Sequence, residues 1–158
     1  MSDIKIVGIR DNPEMLGRAV DYYSSKWGIS EKIYRNSMES SLNTQSPLPR
    51  FYLLLDGKKI IGSYALITND FNSRQDLWPW LAALYVEAEY RGKSLGATLL
   101  KNGADEARRL GFQKLYLLTD HIGYYEKYGW FYLGNGFGVD GEESRIYEIS
   151  TEVEMIEA

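Results

Sequence analysis

The stretch from Leu81 to Leu110, with the segments on either side of it, leaves this chain few architectures. Trp80-Leu81-Ala82-Ala83-Leu84-Tyr85-Val86 is continuously apolar, the pattern of a strand covered on both faces. After a short polar turn, Leu95, Leu99, Leu100, Gly103, Ala107 and Leu110 fall on one helical stripe. Gly111 is placed to stop that helix as a left-handed cap, and Leu115 to Leu118 is apolar again. Two buried strands joined by a helix imply a right-handed parallel crossover inside a sheet.

The remaining segments surround that unit. Ile4, Ile6 and Ile9 open a short strand. Asp11 or Asn12 before Pro13 predicts a helix start with a capping side chain. Met15, Leu16, Ala19, Val20 and Tyr23 recur at helical spacing, and a second helix is expected from Ser30 to about Leu42. Pro47 and Pro49 mark a loop, after which Phe51 to Leu55 and Ile60 to Ile67 read as a hairpin across Asp56-Gly57. Asn69 to Pro79 is a polar loop. Gly123 to Tyr128 reads as a short helix, and Trp130 to Val139 with Glu143 to Thr151 as a last pair of strands turning at Gly141. The expectation is a mixed α/β fold in one domain over 1–158: a mostly antiparallel, twisted sheet of six to seven strands, one parallel strand-helix-strand crossover and about four helices.

Composition narrows the chemistry. The absence of cysteine removes disulfides, thiolate metal sites and cysteine nucleophiles, and one histidine, His121, cannot build a histidine-based metal cluster, so no metal is expected. No apolar run approaches the roughly 18 residues of a membrane span, and no basic and apolar leader opens the chain, which predicts a cytoplasmic protein off the membrane. The net charge is −4, with seven acidic groups after residue 139 against Arg145 alone; the clustered basic face of a nucleic-acid binder is missing.

Between the apolar strand and the helix stands Arg91-Gly92-Lys93-Ser94-Leu95-Gly96-Ala97. A helix start leaves backbone amides unpaired and carries partial positive charge, so it holds phosphate where side chains are small. Gly92, Ser94, Gly96 and Ala97 are small, and Arg91 and Lys93 add full charges. Gly92-Lys93-Ser94 imitates the end of a triphosphate-binding loop, but the first glycine of that pattern would fall on Glu87. Gly136 to Gly141 fits a dinucleotide pattern, yet leads into an acidic turn and no helix.

Arg91 to Gly96 resembles the pyrophosphate-binding pattern of the GNAT superfamily of N-acetyltransferases (Arg or Gln, two residues, Gly, any residue, then Gly or Ala), with Ser94 where glycine is usual. A second family signature follows in the right order as Tyr124-Tyr125-Glu126-Lys127-Tyr128-Gly129-Trp130. The resemblance implies a GNAT-like fold that takes acetyl-CoA as co-substrate. By it, Leu84, Tyr85 and Val86 flank the pantetheine arm, and Arg91, Gly92, Lys93, Ser94, Leu95, Gly96 and Ala97 hold the phosphates. It also implies that the Val86 amide bonds the thioester oxygen and that Tyr125 protonates the departing thiolate, as a phenol with pKa ~10 can; its neighbour Tyr124 reads as a core residue.

The base stays open. Histidine has the intrinsic pKa best suited to the task, which makes His121 a candidate, with Asp120 beside it to orient the ring or to cap the short helix; Glu87 reads as a solvated loop carboxylate, and water relaying the proton is an equal contender. With no cysteine and no GxSxG turn, direct transfer in a ternary complex is expected. The acceptor is a primary amine, on a small molecule or a peptide, in a pocket lined by the first two helices, the Asn69 to Pro79 loop and the last hairpin. Trp27, Tyr34, Trp78 and Trp80 are the candidate aromatic walls. The alternative is a non-catalytic acyl-CoA-binding module, and a homodimer is open.

Overall fold

The computed structural model describes residues 3–152. Strand β1 (Ile4–Gly8) leads through a 3₁₀ turn (Pro13–Met15) into helices α1 (Leu16–Trp27) and α2 (Glu31–Asn43). Strands β2 (Arg50–Asp56) and β3 (Lys59–Ile67) form the hairpin, and β4 (Trp80–Val86), a 3₁₀ turn (Ala88–Tyr90), α3 (Leu95–Arg109) and β5 (Lys114–Thr119) form the crossover. A 3₁₀ turn (Tyr125–Tyr128) then precedes β6 (Phe131–Phe137) and β7 (Glu143–Ser150).

All seven strands join one sheet in the order β1-β2-β3-β4-β5-β7-β6. Every pairing is antiparallel except β4 with β5, as the two buried apolar runs required. The helices cover opposite faces. Leu99, Leu100 and Ala107 of α3 meet Leu54, Tyr64, Leu81, Leu115 and Leu117 on one side. Ala19, Val20 and Tyr23 of α1 and Met38 of α2 meet Phe51, Leu53 and Leu55 on the other. β2 is therefore covered on both faces, which explains its unbroken Phe51-Tyr52-Leu53-Leu54-Leu55. Tyr23 pins α1 to the sheet: its buried hydroxyl accepts the Tyr52 N–H at 3.2 Å and lies 2.6 Å from the Tyr64 carbonyl, to which it donates.

Three helical expectations are corrected. Among the described residues there are three α-helices and three single 3₁₀ turns, against about four helices expected. The segment from Gly123 to Tyr128 makes one 3₁₀ turn only, because Gly123 (φ +91°) and Gly129 (φ +88°) break the chain on either side and leave no room for a second. At the first helix, Asn12 does not cap; its Nδ2 donates back to the Gly8 carbonyl at 3.0 Å, and the entry is a 3₁₀ turn begun by Pro13. By contrast, Ser30 caps α2 by accepting from Lys32 N–H. Gly111 (φ +96°) ends α3 with the paired bonds of its N–H to Arg108 and of the Phe112 N–H to Ala107.

Glycine is required where β3 meets β4. A Cβ on Gly62 would stand 2.5 Å from the Tyr85 carbonyl oxygen, a backbone atom that cannot swing aside. Gly62→Ala is expected to cost about 2 kcal/mol of stability, lowering Tm by roughly 4–8 °C in thermal denaturation; an unchanged Tm would show that the two strands part freely at this point.

Candidate functional site

β4 and β5 pair at a single register position, Trp80 with Tyr116, with the Tyr116 N–H also bonding the Pro79 carbonyl at 3.1 Å. Beyond it the strands diverge. The divergence has a local cause in β4, where Ala82 faces Ala65 but Tyr85 faces Ser63, so two residues, Ala83 and Leu84, bulge against Tyr64 alone. Ala83 has φ +55°, a left-handed conformation uncommon for a residue with a Cβ, and its carbonyl accepts the Ser63 hydroxyl at 2.9 Å.

The bulge sets which way the last residues of β4 point. Tyr85 opposes Ser63, and the Glu87 N–H bonds the Ile61 carbonyl at 2.8 Å. In an antiparallel ladder the residue between two such pairs turns its N–H and C=O the other way. Val86 therefore presents both groups to the gap that β5 has left. Its carbonyl accepts Arg91 Nε at 2.9 Å.

A cleft of about 540 Å³ opens there. Of the residues singled out by sequence, Leu84, Tyr85, Val86, Arg91, Gly92, Ser94, Leu95, Gly96, His121 and Tyr125 all line it. Lys93 and Ala97 do not: Lys93 turns to a neighbouring groove with its Nζ 5.3 Å from the centre of the Tyr90 ring, and Ala97 lines a third beside Thr98 and Lys101. Ser94 takes φ +61°, the left-handed conformation for which glycine is the usual residue, and so preserves the shape of the turn. In that conformation its hydroxyl makes no cap bond, and the first helical bond runs from Thr98 N–H to the Ser94 carbonyl. The preceding amides at the start of α3 are left without helical partners beside the cleft.

The opposite wall comes from the 3₁₀ turn after β5. Tyr125 is 8% exposed, its ring against Tyr124, Trp130 and Tyr147. Burial pushes its phenol above the ordinary tyrosine value, and a hydrogen bond with Thr119 offsets only part of that. The turn is braced from β7: Tyr147 donates to a Glu126 carboxylate oxygen at 2.8 Å and accepts from Arg145 Nε at 3.0 Å, while the other Glu126 oxygen accepts the Gly123 N–H.

The candidate bases separate. His121 lies on the cleft wall, its backbone N–H on Thr119 Oγ1. Asp120 neither orients the ring nor caps the turn; it accepts from Ser144 at 2.9 Å. Glu87 is on the far side of β4, bonded by the Tyr22 hydroxyl and by Lys26 Nζ at 2.8 Å. Burial pushes that carboxyl upward, but the bonds from Lys26 and Tyr22 outweigh it and hold the group below the usual carboxylate range.

None of the four expected aromatic walls lines this cleft. Trp80 is fully buried in the core with its N–H on the Leu77 carbonyl, and Trp78 stacks edge-on against Phe112 beyond the C-terminal end of α3, at the opposite end of β4. Tyr34 packs on Tyr23, whereas Trp27 stands edge-on to Tyr85, 6.0 Å between ring centres. Conversely, Tyr124, read from sequence as a core residue, lines the cleft with Tyr90 and Tyr128. The Tyr124 hydroxyl sits 2.6 Å from where a Cβ on Gly96 would be, which is why that position has none.

One family profile matches most of the chain, and solved structures share its fold. The acetyltransferase (GNAT) family profile matches residues 13–130. No curated protein matches the chain. Among solved structures, an acetyltransferase from Streptococcus agalactiae 2603 is 23% identical with a TM-score of 0.62, covering 93% of this chain and 98% of its own. A GNAT family acetyltransferase from Elizabethkingia anophelis, with acetyl-CoA bound, is 16% identical at a TM-score of 0.61, covering 94% and 98%. A spermidine N-acetyltransferase chimera from Vibrio cholerae and hSSAT is 17% identical at 0.66, covering 95% and 96%.

Proposed function

The chain belongs to the acetyltransferase (GNAT) family, and from that premise we propose that it transfers an acetyl group from acetyl-CoA to a primary amine by direct attack in a ternary complex. The observation that carries this reading is the pair of Val86 backbone groups turned into the gap between β4 and β5, next to the open start of α3. A co-substrate with an amide-bearing arm and a pyrophosphate fits both ends: Val86 pairs with the arm as an added strand would, and the α3 amides with Arg91 take the phosphates. The thioester supplies the activated acetyl group. The Val86 N–H polarises its carbonyl, a bond that strengthens as charge grows on the oxygen. Tyr125, kept protonated by burial, delivers the proton the leaving sulfur needs.

His121 takes the proton released by the acceptor ammonium, because it lines the cleft, whereas Glu87 lies on the far side of β4. Solved neighbours of this fold include an aminoglycoside 6'-acetyltransferase and the spermidine enzyme above, which supports a cationic amine as acceptor. Among the described residues no helix is long and apolar enough to cross a membrane, and with the absence of cysteine this supports a cytoplasmic enzyme. The test is thiol release from acetyl-CoA across polyamines, aminoglycosides, amino acids and peptides. One class should accelerate release and give intersecting initial-rate lines. Parallel lines would refute direct transfer, and CoA binding without turnover on the whole panel would make the chain a binding module.

A further inference from the structure

On the face of β4 opposite α3, the side chains on either side of Val86 build a cation site that the chain fills with its own ammonium. Tyr85 and Glu87, two residues apart in the chain, both reach toward α1. Lys26 Nζ lies 2.8 Å from the Glu87 carboxylate and 5.0 and 4.6 Å from the ring centres of Tyr22 and Tyr85. Lys26 also sits in the last turn of α1, where the helix carbonyls favour positive charge. The pair is reachable from solvent, the two side chains being 21% and 23% exposed. The Tyr85 ring connects this site to the cleft, since it borders both.

A carboxylate and two aromatic rings that converge on one point are a receptor for an alkylammonium. Nothing about it is particular to lysine on α1, and Lys26 holds it through a flexible four-carbon stem that can swing to solvent. We propose that the Glu87–Tyr22–Tyr85 site recognises an ammonium of the acceptor amine, and that Lys26 is an internal competitor which the acceptor displaces. This rests on the acetyl-transfer reading and adds the feature of the acceptor that is recognised, a primary ammonium free of bulky substituents. Lys26 contributes no chemistry to the transfer; it sets the threshold a cation must exceed to enter.

The test compares wild type, Lys26→Met, Lys26→Arg and the double variant Lys26→Met with Glu87→Gln, using 1,4-diaminobutane as probe at saturating acetyl-CoA. Methionine keeps the stem and the helix and removes the charge. Lys26→Met is expected to lower KM for the diamine about tenfold, the sum of an exposed ion pair and a cation–π contact, with Lys26→Arg staying near wild type and Glu87→Gln cancelling the gain. A second readout is independent of turnover: the diamine should raise the Tm of Lys26→Met above that in sodium chloride of equal ionic strength, reach the same shift in wild type only at about tenfold higher diamine, and leave the double variant unmoved. A KM in Lys26→Met equal to or above wild type, or a Tm response the same in all variants, overturns the proposal. If no amine drives thiol release in any variant, the acetyl-transfer reading fails, and the Tm comparison still decides whether the site takes the cation.

Discussion

Tyr125→Phe is expected to slow thiol release about a hundredfold at saturating acetyl-CoA, the low end of what a positioned proton donor contributes, with the affinity for CoA kept. The substitution removes one oxygen from a ring fixed on three sides by Tyr124, Trp130 and Tyr147. Its volume is preserved, so the packing of the 3₁₀ turn survives. What goes is the hydroxyl near Thr119 that burial keeps protonated. Steady-state kinetics with CoA titration separates the two effects. A rate within twofold of wild type would return Tyr125 to the role of an aromatic wedge, and a lost CoA affinity would mean that the phenol holds the cofactor and does not protonate it.

Val86→Pro is the second large effect, with an expected loss of about 10²–10³ in kcat, the range for deleting one preorganised donor to a carbonyl that gains charge. Proline normally damages a strand by removing a ladder bond. Here the ladder bonds toward β3 belong to Tyr85 and Glu87, and the Val86 N–H faces the gap, so the donor can be deleted without unpairing the sheet. Circular dichroism and a melting curve should therefore stay close to wild type while turnover falls. If turnover persists in a folded variant, the amide is a bystander; Val86→Ala, which keeps the N–H, serves as the control and should remain active.

The architecture was legible because its signals are local and redundant. Two continuous apolar runs and one amphipathic stripe with a terminal Gly111 define the crossover, and Asp56-Gly57 and Gly141 mark the turns of the antiparallel strands. The bulge was not legible: Ala83 carries a positive φ with no glycine to announce it, since the neighbouring Ser63 and the opposing β3 impose the conformation. Tyr124 was misread for a similar reason. In a single 3₁₀ turn between two glycines, neither a 3.6 nor a 2.0 period assigns faces, and only the fold brings its hydroxyl over Gly96. Trp78 and Trp80 flank a proline in a loop, where residue type suggests a pocket wall but says nothing about which end of the strand the ring occupies. The Lys26–Glu87 pair joins α1 to the end of β4 across the sequence, and no motif connects them.

The bond between Arg91 and the Val86 carbonyl has a bearing on timing. One guanidinium reaches from the turn proposed to hold phosphate to the backbone acceptor that the pantetheine arm would need. One of that carbonyl's two lone pairs is taken by Arg91. On the proposed function, a pyrophosphate at the α3 amides would compete with the Val86 carbonyl for this one side chain, which would couple the two ends of the cleft. A truncated thioester lacking the nucleotide would meet the guanidinium unaided, and its use is expected to fall by more than the loss of its phosphate contacts.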